Sequence, residues 1–238
     1  MPGFLKAFFL LSMNESIPQE LRLAAAIALK NAVHEEWLKT SDEEGKTFLR
    51  DNLVDAISVA PKRIMKLHRY ILQQIVFNDY PKKMPNLLSQ ISSHLHSPLL
   101  QNRLGAMNSL FVILDQLSAF YHIKNLTGED LVAQTSQPML ELCEAILIEN
   151  NLTADNGELM RRILRNFFLF MYNKTFSKIA ESEFFARWMK VLFSMYSLEL
   201  PTPHPSAMVC FYFFILFFHI SISFISLFLT PTYIYIYI

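Results

Sequence analysis

The sequence predicts an all-α protein, its helices in antiparallel pairs stacked into a solenoid, and three observations carry that expectation. Apolar residues recur at helical spacing almost without interruption to about residue 197, and no segment before residue 200 alternates as a strand would. The helical stretches are separated by turn and cap chemistry at Pro18, Ser41-Asp42, Pro61, Pro81, Pro98 and Asn156-Gly157. Taken two at a time, the helices form pairs that begin near residues 19, 63 and 100, a recurrence of about 40 residues.

The elements follow in order. Helical patterns cover 4–12, 19–36, 43–59, 63–78, 85–96, 100–118, 130–149, 157–173 and 180–197. The first, within MPGFLKAFFLLSM, lacks the basic leader and small-residue cleavage site of a signal peptide and reads as an amphipathic helix. In the second, Ala24, Ala28 and Ala32 make one stripe and Leu29, Val33 and Trp37 another, roughly 140° apart at helical pitch. That helix is expected to bury two faces, with the alanines allowing close approach and Asn31 bonded to a neighbouring turn. Leu49, Leu53 and Ile57 give the next helix its apolar face; Ile64, Leu67, Ile71 and Ile75 serve the following one. Leu104, Met107, Phe111 and Leu114 do the same for the helix after Pro98. Hairpins of this length bury their faces only by stacking, which is the logic of a HEAT-type (ARM-like) α-solenoid.

Charge and composition exclude several functions. The 238 residues hold 21 Lys+Arg and 21 Asp+Glu. Residues 1–60 carry six basic and nine acidic side chains, residues 61–110 seven and one, and residues 111–199 eight and eleven. Two cysteines, Cys143 and Cys210, make neither a disulfide framework nor a metal cluster and point to a reducing compartment. Cys143 reads as a core thiol. His94 and His96 sit two apart on a helix and diverge by about 200°, so they do not grip one metal together. Four N-x-S/T triplets, at Asn14, Asn125, Asn151 and Asn173, mean nothing without secretion. With no phosphate-cradling glycine loop and no activated nucleophile, we expect no enzyme, no cofactor and no catalytic or metal-binding residues. The basic run Lys62, Arg63, Lys66, Arg69, Lys82 and Lys83 reads first as a solvated face; contact with an acidic partner is the sharper alternative, and nucleic acid is disfavoured.

Residues 200–238 contain no Asp, Glu, Lys or Arg. Three segments follow: a repeat region over 1–200, a proline-rich linker over 201–208 and an apolar tail over 209–238. Val209 to Leu229 would span about 31 Å as a helix, roughly one bilayer core. Yet the tail is almost wholly Phe, Ile, Leu, Ser, Tyr and Thr, and its final YIYIYI is what an alternating TAT-ATA repeat encodes. It reads as translated non-coding sequence, with a membrane anchor as the alternative.

The stretch PGFLKAFFLLSMNESIPQELRLAAAIALKNAVHEEW, then FLRDNLVDAI, then VFNDYPKKMPNLLSQI, resembles the N-terminal region of importin-β-type nuclear transport receptors, nearest the importin-7/importin-8 branch. The positions that carry the resemblance are Arg22, Ala25, Leu29, Lys30, Asn31 and Trp37, then Arg50 and Asn52, then Asp79, Tyr80, Pro81 and Pro85. LRNFFLFMYNKTF and FFARWMKVLF continue the register, so the resemblance covers about residues 2–200. Met84 stands where the family tends to have Trp, and the family's first helix has no counterpart here. The resemblance implies a carrier that binds the GTP form of Ran and releases import cargo in the nucleus, moving between nucleus and cytoplasm through the pore. It implies that the helices near 4–12, 43–59, 85–96 and 130–149 line the Ran side. Candidate contacts are then Arg50, Asn52, Asp55, Asn86 and Gln90. Most cargo and nucleoporin contacts would lie further along such a receptor. A tail-anchored helical adaptor and an export receptor of the same superfamily are the alternatives.

Overall fold

The computed structural model describes residues 3–119, 132–149, 153–172 and 184–196. These form nine α-helices: α1 (Phe4–Met13), α2 (Gln19–Glu36), α3 (Glu43–Val59), α4 (Lys62–Asp79), α5 (Leu87–Leu95), α6 (Leu100–Ala119), α7 (Gln137–Ile148), α8 (Ala154–Tyr172) and α9 (Phe184–Tyr196). A π-helical turn, Val132–Ser136, leads into α7, where Pro138 stands at the second position. Other starts are equally local. Asp42 caps α3 by accepting the Gly45 N–H at 3.2 Å, and Glu43 and Glu44 place negative charge on the helix's positive end. Pro18 and Pro61 precede α2 and α4. The Tyr80-Pro81 bond, just past the end of α4, is cis.

Residues Met1–Phe185 make one unit and Ala186–Ile238 a second, which contains nearly all of α9. Within the first unit, α2 stacks on α4, α4 on α6 and α6 on α8, giving one row; α1 stacks on α3 and α5 contacts α7, giving the other. Each helix of the second row also packs against the first: α1 on α2, α3 on α4 and α6, α5 on α6. The described residues contain no strand. Paired helices sharing their core only with neighbours are the all-α HEAT-type architecture that the recurrence predicts. The core runs between the rows through Leu29, Leu53, Ile64, Ile75, Leu110 and Ile163, all fully buried. Each such side chain contributes about 1.5–3 kcal/mol relative to exposure.

Three expectations need correction. On α2 the residues buried are Arg22, Ala25, Ala26, Leu29 and Val33, with Trp37 just beyond; Ala24 is exposed and Ala28 and Ala32 only half-buried. The helix thus buries one broad face, and its close-approach residues are Ala25 and Ala26. Asn31 is exposed to water on the opposite side and needs no partner from a neighbouring turn. Asn156-Gly157 is not a break: α8 begins at Ala154, and Thr153 Oγ1 accepts the Asn156 N–H at 3.2 Å. The cap lies three residues earlier than the Asn-Gly signal placed it. The linker over 201–208 and the apolar run over 209–229 lie outside the described residues, as does Cys210. Among the described residues no helix is long and apolar enough to cross a membrane.

One close approach between the rows depends on a missing side chain. A Cβ at Gly105 of α6 would meet Ser58 Oγ and come within 2.5 Å of the Ser58 Cα on α3. Gly105→Ala therefore gains about 1 kcal/mol in helix propensity but overpacks against backbone, which costs about 1–3 kcal/mol and sometimes more. We expect a net loss of up to about 2 kcal/mol, read as a lower urea midpoint by circular dichroism; a rise would show that α3 and α6 separate freely.

Candidate functional site: a polar, acidic edge along three helices

In the row of α1, α3 and α5, α3 and α5 present a polar outer edge, to which α1 adds Lys6 beside its exposed Leu10 and Leu11. Leu49, Leu53 and Ile57 turn inward on α3, which leaves Thr47, Asp51 and Asp55 outward at i, i+4 and i+8. Between α1 and α3 lies an open groove of about 510 Å³ lined by Lys6, Glu43, Glu44, Thr47, Phe48, Asp51 and Asn52. Lys6 Nζ spans it, 3.1 Å from Glu44 Oε1 and 5.2 Å from the Phe48 ring centroid. Glu43 also faces the groove, and the hydrogen bond from Lys46 lowers its pKa below the ordinary carboxylate value. Glu43, Glu44 and Asp51 in the groove, with Asp55 one turn on, outnumber Lys6 and the Lys46 that pairs Glu43, so this edge is net acidic and suits a basic partner.

Between α3 and α5 the edge is tied by a ladder. Gln90 Nε2 donates to Asp51 O at 2.9 Å. One turn on, His94 Nε2 stands 2.6 Å from Asp55 Oδ1, and His94 Nδ1 is 3.3 Å from Ser58 Oγ. His96 turns away and bonds the Ser92 carbonyl at 2.8 Å, so the two histidines work separately.

The candidate contacts separate accordingly. Asn52, Asp55 and Gln90 lie together on this edge; Asn52 Nδ2 donates to Phe48 O at 2.7 Å, and Asp55 is 61% exposed. Asn86 is exposed at the start of α5. Arg50 is elsewhere. Its side chain is only 8% exposed and points into the core, with Nε 2.8 Å from Asp79 Oδ2. Its Nη2 lies 2.8 Å from the same oxygen as an ion pair, off line for a hydrogen bond. Trp37 Nε1 donates to that oxygen at 3.2 Å, and the Arg50 guanidinium lies 5.4 Å from the Trp37 ring centroid. Asp51, His94 and Lys6 are members of the edge that the sequence reading passed over. The signal for Asp51 was its i, i+4 relation to Asp55.

The motif positions sort into supports. Arg22 Nε donates to Ser12 O at 3.1 Å and fixes the start of α2 on the end of α1. Lys30 Nζ lies 5.4 Å from the Tyr70 ring centroid, joining α2 to α4. Trp37 and Asp79 close the buried cluster just described, Leu29 and Met84 fill core, and Pro85 is exposed. Cys143 is fully buried, and burial pushes its thiol pKa up to about 12, so it is neutral and inert.

Comparison with known proteins meets this geometry at its first three helices. Residues 1–59, which end with α3, match the family model of the importin-beta N-terminal domain. The chain is 24% identical over 195 residues to the "Importin beta-like SAD2 homolog" of Arabidopsis thaliana, covering 77% of this chain and 18% of that protein. It is 22% identical over 203 residues to Importin-8 of Danio rerio, covering 79% of this chain and 19% of that protein. It is also 26% identical over 143 residues to Exportin-2 of Danio rerio, covering 57% and 15%. The chain thus spans about a fifth of the length of the curated relatives it matches. Residues 1–59 therefore carry an importin-beta N-terminal domain, and over most of its length the chain is similar to the N-terminal region of importin-β superfamily receptors.

Proposed function

We propose that the chain serves nuclear transport as the N-terminal repeats of a receptor, and that the α1–α3–α5 edge docks the GTP form of Ran. It acts by binding rather than by catalysis, between nucleus and cytoplasm. The observation that carries this reading is the coincidence of two boundaries: the importin-beta N-terminal match covers residues 1–59, and α1 and α3 within it build the open acidic groove. Asn52, Asp55, Asn86 and Gln90 are contacts in this reading, with Asp51 added from the structure; Arg50 supports them from the core. Import is favoured because the importin relatives match more of the chain than the exportin does. Export is the second reading, and it rests on that exportin match.

The test is binding of the full chain to Ran loaded with a non-hydrolysable GTP analogue or with GDP. We expect a clear preference for the GTP form, and a loss of about tenfold or more in the D51K/D55K variant with helicity unchanged by circular dichroism. Such a loss is the usual scale for reversing two charges across an interface. Equal binding of both nucleotide forms would refute the assignment. Cargo that is displaced by Ran-GTP marks an importer; cargo held more tightly marks an exporter.

A further inference from the structure

The opposite row carries a charge feature that Ran docking does not use. On α4, Lys66 is exposed and Arg69 half-buried on the same face, one turn apart. Arg69 reaches over α6, with its guanidinium 5.2 Å from the Phe111 ring centroid; from α8, Arg165 reaches the same ring at 3.6 Å. Arg161 and Arg162 flank Arg165 on α8, and both bond Glu158 at 2.7 Å. The hydrogen bond from Arg161, with help from Arg162, holds the Glu158 pKa down to about 2, so that carboxylate is fully engaged. Burial and the like charges of Arg165 and Arg162 lower the Arg69 pKa, with Asp115 opposing them. Burial and Arg161 do the same to Arg165. Both stay protonated at any physiological pH. Four guanidiniums therefore converge, with Lys66 one turn from Arg69 on α4, and among the described residues Asp115 and Glu158 are the acidic groups that act on the arginines. Among the described residues Arg69 Nε, buried, has no hydrogen-bond partner.

We propose that this face of α4, α6 and α8, centred on Phe111, is a docking site for an acidic polypeptide segment. Arg69 and Arg165 receive Glu or Asp side chains, and Lys66 serves the edge. Guanidiniums stacked on a ring lose little freedom on binding, and their planar forks match a carboxylate. A nucleic acid fits less well for two reasons. The Phe111 ring already carries two guanidiniums, so it offers a poor platform for a base. Asp115 and Glu158 lie within the patch, where a continuous phosphate backbone would meet them and spaced acidic side chains can step past.

The experiment is fluorescence anisotropy of the full chain with fluorescein-labelled octaglutamate, against octaglutamine and octathymidylate as controls. We expect salt-sensitive binding of octaglutamate, none of octaglutamine, and weaker binding of octathymidylate. R69Q/R165Q should weaken octaglutamate about tenfold or more, and K66E severalfold. K66E alters an exposed lysine and so reads the site even if R69Q/R165Q unfolds. Octaglutamate affinity unchanged in K66E, or octathymidylate binding more tightly than octaglutamate, would overturn the proposal.

Discussion

Asp79→Ala is expected to cost about 3–5 kcal/mol of stability, because it strands a buried guanidinium. Asp79 and Arg50 are 3% and 8% exposed in their side chains, and the Asp79 carboxylate receives both Arg50 and Trp37. Asp79 is also the last residue of α4, where the helix's own carbonyls disfavour a carboxylate. Arg50 offsets that repulsion, and the exposed Lys83, 3.9 Å away, adds little. Removing either partner should therefore destabilise strongly, whereas replacing both by apolar groups of similar volume should not. R50M/D79L is expected to recover most of the loss seen in Asp79→Ala. The measurement is urea unfolding of the full chain followed by circular dichroism. A loss below about 1 kcal/mol for Asp79→Ala would mean that water reaches Arg50 and that the cluster does not hold α2, α3 and α4 together.

That cluster shows where sequence reasoning reaches and where it stops. The burial of Arg50 could have been read from its place next to Leu49, three residues before Leu53 and seven before Ile57, on the inward side of α3, yet the resemblance put it among the surface contacts. Its partner was not. Asp79 is 29 residues away, at the end of another helix, and no local period links the two. The α3–α5 ladder is different. Gln90 to Asp51 and His94 to Asp55 share an offset of 39 residues, which is the recurrence seen in the sequence. Helices stacked in register by a repeat join residues one repeat apart, so this contact could have been written from the period alone.

The starts of α2, α3 and α4 were legible because proline and cap residues act locally, while the start of α8 and the face of α2 were not. Alanine at 24, 28 and 32 forms a perfect stripe, but an alanine side chain gains little from burial and sits as well in water. The larger residues Leu29, Val33 and Trp37 decided the orientation, and Ala25 and Ala26 followed them inward. The Arg69–Phe111–Arg165 stack joins three helices from separate repeats, and the run of basic residues gave only its first member.

Lowering the pH from 7 to 5 is expected to cost the fold about 2 kcal/mol through one side chain, His68. His68 is fully buried, with its ring 5.5 Å from the Phe9 ring and nearly parallel to it at 19°. Ser12 Oγ donates to Phe9 O at 2.7 Å, so the 3.1 Å contact with His68 Nε2 has the imidazole as donor. That fixes the neutral tautomer protonated at Nε2. Nδ1 has no hydrogen-bond partner among the described residues, so a second proton there would be buried and unpaired. Burial lowers the pKa from 6.5 to about 4. The sign follows: below 6.5 the unfolded chain takes up a proton that the folded chain refuses, so acid favours unfolding. Stability is whole above the unfolded value, falls as the pH drops towards 4, and the total loss is on the order of 3 kcal/mol. His68→Gln keeps a side-chain donor near Ser12 and removes the titration. Its urea midpoint should change less between pH 7 and pH 5 than that of the native chain. Equal acid sensitivity in the two proteins would place the lost stability on other groups and leave α1 joined to α4 by packing alone.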